Sequence, residues 1–154
     1  MSMDIGVPAT EATDRLVDLW VQLAESQRKH GTHIQAADNR AQIRESIVRH
    51  LVSDRLFAAQ DDGIIGFVMF RIESESYEQD GRRGIVENLF VRAERRGEGI
   101  GAALLTAAER ELTAQGVDVV ALEVMADNDT ARQFYRKQGY EPHRIELEKS
   151  VEDG

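Results

Sequence analysis

The sequence of 154 residues contains no cysteine, which excludes a disulfide framework, a thiolate metal site and a cysteine nucleophile. No apolar run approaches the length of a membrane span, and the first ten residues lack the basic-then-apolar layout of a signal peptide. We therefore expect a cytoplasmic protein with no membrane partner. The length predicts one domain, residues 1–154, with a single sizeable core.

Lysine is scarce, and the charge balance is strongly acidic. Lys29, Lys137 and Lys149 are the only lysines among 19 basic residues, which face 28 acidic ones and leave a net charge of −9. This balance argues against a nucleic-acid partner, because phosphate binding requires a basic patch. It would suit attraction of a cationic amine. An acidic, lysine-poor surface is also a common solution to a high-salt cytoplasm and a consequence of GC-rich coding, so both interpretations stay open.

Hydrophobic periodicity predicts an ordered series of strands and helices. The predicted strands cover residues 3–8, 55–60, 64–73, 85–91, 119–124 and 144–149, and the predicted helices cover 12–29, 38–52, 101–115 and 128–138. The first helix carries an amphipathic stripe that includes Trp20, which we interpret as core or as a dimer face. Strands in antiparallel order followed by a β-α-β unit predict an α+β sandwich with a central mixed sheet.

The segment 86–101, VENLFVRAERRGEGIG, has the pattern of an apolar strand, a charged turn and the start of a helix. Gly97, Gly99 and Gly101 let the backbone curl tightly and approach a bound group closely. The free N–H groups and the positive dipole end of the helix point into this turn, so a phosphate or pyrophosphate is its natural ligand. The spacing matches neither the G-x-G-x-x-G dinucleotide pattern nor a P-loop.

Two blocks of sequence, separated by a predicted strand, resemble the motifs of one enzyme superfamily. The acetyl-coenzyme A pyrophosphate motif of the GNAT superfamily of N-acetyltransferases is similar to Arg96-x-x-Gly99-x-Gly101. That superfamily's second motif resembles Asn128-x-x-Ala131-x-x-Phe134-Tyr135-x-x-x-Gly139-Tyr140. The resemblance implies a GNAT fold, an α+β architecture with a mixed, mostly antiparallel sheet of about six to seven strands flanked by about four helices.

The same resemblance implies how acetyl-coenzyme A is held as the co-substrate. Backbone N–H groups between Gly97 and Ala102 would bind the pyrophosphate with a charge-assisted contact from Arg96, whereas Arg95 is interpreted as a solvated charge. The exposed edge of the strand at 89–91 would pair with the pantetheine arm as an extra strand does. The cofactor-binding residues implied in this way are Leu89, Phe90, Val91, Arg96, Gly97, Glu98, Gly99, Ile100, Gly101, Ala102 and Asn128.

Two of these assignments have structural alternatives that stay open. The side chains at 89–91 could simply fill the core, which is compatible with a ligand that contacts only their backbone. Asn128 could cap the helix that follows it, with or without a contact to coenzyme A.

The resemblance also implies the groups that would move protons. Tyr135 would be the general acid that protonates the departing thiolate, and its alternative is a half-buried aromatic residue whose hydroxyl binds a nearby partner. Glu87 and Glu123 each interrupt an apolar strand and are candidates for the base that deprotonates the amine, with Glu87 preferred. Each glutamate could instead be a polar residue on a solvated sheet face.

These features together predict an acyltransferase that acetylates a primary amine of a small molecule or protein. The alternative is a non-catalytic acyl-coenzyme A-binding sensor of the same fold, which would need neither Tyr135 nor the glutamates. Homodimers are common in the superfamily, and we expect one here. His30, His33, His50 and His143 match no zinc-ligand spacing, so no metal is predicted. His30 and His33 are interpreted as surface-loop residues, although relatives often line the acceptor site there.

Overall fold

The computed structural model describes residues 3–28, 39–73 and 82–151, so His30 and His33 lie outside it. The helices are α1 (Thr13–Arg28), α2 (Arg40–Val52), α3 (Ile100–Ala114) and α4 (Asp129–Lys137). The strands are β1 (Asp4–Gly6), β2 (Leu56–Gln60), β3 (Ile64–Ile72), β4 (Arg83–Val91) and β5 (Val119–Leu122). In the part of the chain that the structure describes, no helix has the length and apolar character needed to cross a membrane.

The strands form one sheet in the order β1-β2-β3-β4-β5. Neighbours pair antiparallel from β1 to β4, whereas β4 and β5 pair in parallel. The parallel pair needs a long crossover connection, and α3 supplies it. The predicted mixed, mostly antiparallel sheet is confirmed.

Both faces of the sheet are buried, as the side chains of β3 show. Ile64, Phe67 and Met69 belong to the core cluster under α1 and α2, whereas Val68 and Phe70 belong to the cluster under α3. A strand buried on both faces is apolar throughout rather than alternately polar. Each such side chain contributes about 1.5–3 kcal/mol by its burial, so the sheet gives firm support to the residues at its ends.

The apolar stripe of the first helix faces this core. Leu16 and Leu19 of α1 are fully buried, and Trp20 is half-buried against the same cluster. The α2 helix buries Ile47 and Leu51 beside them. The core interpretation of the Trp20 stripe therefore holds.

The strand predicted at 144–149 is wrong. Residues 141–151 have no regular structure, and all of them are exposed. An alternating pattern forms a strand only where a neighbouring strand offers its backbone groups. In the described residues no strand pairs with the outer edge of β5. In the described residues the sheet therefore has five strands, fewer than the six to seven that were predicted.

Candidate active site

The strands β4 and β5 separate where their ladder ends. Their last pair is Val86 with Leu122, and β4 then continues to Val91. In the described chain no strand lies beside this continuation on the β5 side. We call residues 87–91 the open edge of β4. An unpaired edge offers a row of N–H and C=O groups to an extended ligand.

The direction of the backbone along this edge follows from one hydrogen bond. The N–H of Arg92 donates to the Ile65 carbonyl of β3 over 2.9 Å, so the backbone N–H and C=O groups of Arg92 point toward β3. Directions alternate along a strand, so the N–H and C=O groups of Val91 and Leu89 face the open side. Phe90 is only 5% exposed and belongs to the core cluster under α1 and α2, where its ring lies 5.8 Å from that of Phe67 on β3. A buried side chain at Phe90 and partly buried side chains at Leu89 and Val91 thus coexist with backbone groups that face the open side.

The glycine turn that follows β4 ends at an uncapped helix. Gly97 and Gly99 both have φ of +84°, a left-handed conformation that favours glycine. Gly99 precedes α3, and no side chain of the described residues caps this helix end. The first helical bond runs from the Ala103 N–H to the Gly99 carbonyl, which leaves the N–H groups of residues 100–102 for a ligand. A Cβ at Gly97 or Gly99 would touch nothing within 4 Å, so the turn opens onto free space.

The two arginines of the turn have different roles. Arg95 Nη2 lies 3.1 Å from Asp61 Oδ2, and its Nε lies 3.1 Å from the carboxylate of Glu98, so these ion pairs brace the turn. The interpretation of Arg95 as merely a solvated charge is wrong. Arg96 Nε donates over 3.1 Å to the Val91 carbonyl, which places the Arg96 guanidinium beside the open edge of β4.

Side-chain contacts bring the two sequence motifs together. A Cβ built on Gly101 at the start of α3 would lie 3.5 Å from Phe134 Cζ on α4 and 3.7 Å from Val91 Cγ2. The glycine therefore lets α3, α4 and β4 approach closely at one point. The next residue on α4 is Tyr135, whose ring lies 5.2 Å from that of Phe134. This contact places the candidate acid near the end of the open edge.

Tyr135 and Tyr140 are neighbours with different hydroxyl environments. The Tyr140 hydroxyl donates to Glu109 Oε2 over 2.6 Å, whereas the Tyr135 hydroxyl forms no hydrogen bond with the described part of the chain. Burial raises the pKa of Tyr135 to about 12, so this phenol keeps its proton at neutral pH. Burial, the hydrogen bond to Glu109 and the Glu109 charge raise the pKa of Tyr140 as well. The hydroxyl of a half-buried tyrosine usually hydrogen-bonds a nearby group. Tyr140 follows this rule, whereas Tyr135 does not do so with the described residues.

Asn128 acts as a helix cap. Its side chain accepts a hydrogen bond from the Ala131 N–H over 3.2 Å at the start of α4. This geometry satisfies one of the free N–H groups of the helix. A contact between Asn128 and coenzyme A stays a prediction.

Glu87 occupies a β-bulge at the point where β4 and β5 part. In the pairing with β3, Met69 lies opposite Asn88 and Phe70 lies opposite Val86, so Glu87 is the extra residue. A bulge re-aims its side chain relative to the regular alternation of the strand. The Glu87 side chain is 29% exposed and sits 3.8 Å from Arg71 Nε through its Oε2 atom.

Sequence reasoning missed that Glu87 contacts a histidine. His50 Nε2 lies 2.7 Å from Glu87 Oε1, and His50 Nδ1 lies 2.7 Å from the Ser46 carbonyl. Burial lowers the pKa of His50, but the hydrogen bonds to Glu87 and Ser46 and the Glu87 charge outweigh it and raise the pKa overall. A signal was available, because His50 lies three residues after Ile47 on the apolar side of α2. No local sequence pattern could indicate that its partner is Glu87, which lies 37 positions away in the chain.

Glu123 also lies at the point where β4 and β5 separate, but in a different environment. It follows Leu122, the last paired residue of β5, just as Glu87 follows Val86 on β4. Glu123 is exposed, and it forms no hydrogen bond or ion pair with the described residues. Both candidate bases thus lie just beyond the last residue pair of β4 and β5. Among the described residues, Glu87 has interaction partners and Glu123 has none.

Comparison with known proteins identifies one family. A model of the acetyltransferase (GNAT) family matches residues 15–140 of this chain. Mycothiol acetyltransferase of Streptomyces coelicolor is 36% identical over 92 residues, which make up 59% of this chain. The match covers 28% of the length of that relative.

Solved structures share the fold over nearly the whole chain. PaiA N-acetyltransferase of Thermoplasma acidophilum, in complex with coenzyme A, has a TM-score of 0.77 at 19% identity, with 95% of this chain and 94% of that chain covered. AAC(6')-Iy, in complex with the bisubstrate analog CoA-S-monomethyl-acetylneamine, has a TM-score of 0.74 at 22% identity, with 97% and 99% covered. At these identities the likeness shows the fold alone.

Proposed function

This chain belongs to the acetyltransferase (GNAT) family of acyltransferase enzymes, and we propose that it transfers an acetyl group from acetyl-coenzyme A to a primary amine of a small molecule or protein. The observation that carries this proposal is the meeting of three features: the open edge of β4, the uncapped start of α3 and the half-buried Tyr135. The coenzyme A and the bisubstrate analog in the two related structures support the same co-substrate here. A cytoplasmic location and the absence of a nucleic-acid partner remain part of the proposal.

The pyrophosphate of acetyl-coenzyme A would bind at the start of α3. The N–H groups of residues 100–102 precede the first helical bond, and the positive end of the helix dipole favours an anion there. Among the described residues, Arg96 donates only through its Nε, to the Val91 carbonyl, which leaves its terminal N–H groups for phosphate oxygens. The pantetheine amides would pair with the backbone of Leu89 and Val91 on the open edge.

The reaction consists of one bond exchange and two proton transfers. The neutral amine attacks the thioester carbonyl carbon, the new C–N bond forms, and the C–S bond breaks with its electron pair on sulfur. Tyr135 donates its proton to that thiolate, and a base at the point where β4 and β5 separate takes the proton of the amine. The Tyr135 phenolate regains a proton from water before the next turnover. The phenol suits the first task because burial holds its proton and its hydroxyl has no partner among the described residues.

One experiment separates an enzyme from a binding module. The purified protein is mixed with acetyl-coenzyme A and a panel of small primary amines and amine-bearing peptides, and release of the coenzyme A thiol is followed. Calorimetry with coenzyme A is run beside it. Amine-dependent thiol release supports the proposal, whereas binding of coenzyme A without thiol release for any amine supports the sensor alternative.

We further propose that the protein is a homodimer, in which residues 144–151 of one copy pair with the outer edge of β5 of a second copy. Ile145, Leu147 and Val151 expose 82%, 88% and 82% of their surface, and they would fall on one side of this segment once it paired as a strand. Val119 of β5 is 52% exposed at an edge that no described strand covers. Each copy thus carries a segment with one apolar side and, in its described residues, an unpaired strand edge, which a two-fold arrangement would satisfy reciprocally.

A further inference from the structure

The tautomer of His50 is fixed by its own helix. Its Nδ1 lies 2.7 Å from the Ser46 carbonyl one turn earlier on α2, and a carbonyl oxygen can only accept. The Nδ1 atom therefore carries a proton in every state that keeps this hydrogen bond. All further gain or loss of a proton on this ring occurs at Nε2.

The contact between His50 Nε2 and Glu87 Oε1, 2.7 Å long, consequently requires one more proton. If the ring were neutral and the carboxylate ionised, two lone pairs would face each other at this distance. The hydrogen bond forms only when a proton lies on Nε2 or on Oε1. The pair thus has two states: a loaded state with this proton and no net charge, and an empty state without it and with a charge of −1.

We propose that His50 and Glu87 form one proton-accepting unit for the acetylation reaction, in which Glu87 is the catalytic base and His50 is the positioning residue that holds the accepted proton. This inference rests on the proposed function. In the empty state the Glu87 carboxylate takes the proton from the nitrogen of the amine. That proton ends on His50 Nε2, where it makes the observed hydrogen bond, and it passes to water before the next turnover.

The geometry suits the task for two reasons. The His50 side chain is 13% exposed, whereas the Glu87 side chain is 29% exposed, so a substrate can reach the carboxylate rather than the ring. An unperturbed glutamate has a pKa of about 4.3, and general bases work best when their pKa lies near the operating pH. The ordinary pKa of a histidine, about 6.5, is closer to neutral pH than that of a glutamate, and the contact with Glu87 raises the pKa of His50.

The charged groups around the pair set its working range. Glu87 on β4 faces the ring and raises the pKa of His50 above its ordinary value, whereas burial and Arg49 on α2 lower it. Arg71 on β3 lies 3.8 Å from the other oxygen of Glu87. Because the empty state is the reactive one, kcat/KM should rise as the pH increases through the pKa of the pair.

The test combines a substrate-free measurement with kinetics. NMR titration of the His50 ring in the whole protein should show a pKa above the ordinary value, and Glu87→Gln should lower it, whereas Glu45→Gln on the exposed side of α2 should not. An unchanged His50 pKa in Glu87→Gln would overturn the pairing. This result does not depend on any acceptor, so it is distinguishable from failure of the proposed function.

The kinetic variant is His50→Gln, because a glutamine amide can still donate to Glu87 but cannot take up a proton. We expect kcat/KM near pH 7 to fall by about 10²-fold or more, with coenzyme A affinity retained and partial recovery at high pH, where the amine is already neutral. Loss of the pH dependence near neutrality supports the role of His50. A His50→Gln profile that matches the wild type would overturn it.

Discussion

The rings of Tyr135 and Tyr140 lie 6.0 Å apart with an interplanar angle of 74°, yet only Tyr140 has a hydrogen-bond partner among the described residues. Two phenols in one aromatic cluster are therefore distinguished by their hydroxyl groups. Burial together with Glu109 raises the pKa of Tyr140, whereas burial alone raises the pKa of Tyr135. This difference makes the two tyrosines a natural pair of test and control.

We predict that Tyr135→Phe lowers kcat by about 10²–10⁴-fold if chemistry limits the rate, because a general acid contributes that much. Only the hydroxyl is lost, so the affinity for acetyl-coenzyme A should stay nearly unchanged in calorimetry. Tyr140→Phe is the control, and it should retain kcat while losing the bond to Glu109. Wild-type turnover of Tyr135→Phe would eliminate the acid role.

The second prediction concerns the glycine turn. Gly99→Val should weaken coenzyme A binding strongly, because a β-branched residue at φ of +84° costs about 1–3 kcal/mol of strain and distorts the start of α3. Gly116→Val is the matched control, since Gly116 has φ of +87° after the other end of the same helix. Both variants should lose similar thermal stability, and only Gly99→Val should lose affinity in calorimetry. Equal affinity in a folded Gly99→Val protein would contradict the pyrophosphate assignment.

The elements that the sequence predicted well are those defined by local pattern. The positive φ of Gly97 and Gly99 and the helix after them follow from residues that are neighbours in the chain. The parallel pairing of β4 and β5 follows from the intervening α3. In each case the signal and the structure lie within one strand-turn-helix unit.

The features that escaped prediction depend on contacts between distant residues. The bulge at Glu87 is defined only by its register with β3, and the His50 contact joins positions 37 apart. The ion pair of Arg95 with Asp61 spans 34 positions in the same way. The alternation around Ile145 and Leu147 is typical of a strand, but no strand forms there, because in the described chain no neighbouring strand pairs with this segment.

The third prediction tests the homodimer. Light scattering of the wild-type protein at micromolar concentration should give twice the mass of the chain, and Leu147→Glu should shift it toward the monomer, because a charge would enter the apolar side of the paired segment. Glu146→Gln changes the opposite side of the segment and should leave the mass unchanged. A monomer mass for the wild type across this range would refute the dimer.

The fourth prediction separates the two candidate bases. Glu87→Gln should show a large loss of kcat/KM at neutral pH, with partial recovery at high pH, where the amine loses its proton unaided. Glu123→Gln should change little at any pH, because Glu123 is exposed and has no partner among the described residues. Flat profiles for both variants would mean that water or the amine's own equilibrium performs the deprotonation, and the reverse order would assign the base to Glu123.

The last prediction concerns stability and pH. The pKa of His50 is raised in the folded protein above its value of about 6.5 in the unfolded chain. The folded state then binds the extra proton more tightly, so the stabilisation from His50 is fully present below pH 6.5 and is lost as the pH rises through the folded pKa. Chemical denaturation across this range should therefore show the free-energy difference between wild type and His50→Gln shrinking with increasing pH. In a Glu87→Gln background the same difference should lose most of its pH dependence, because the main group that raises the pKa is gone. If the difference in unfolding free energy between the wild type and His50→Gln stayed constant or grew with pH, it would contradict the assigned proton between His50 and Glu87.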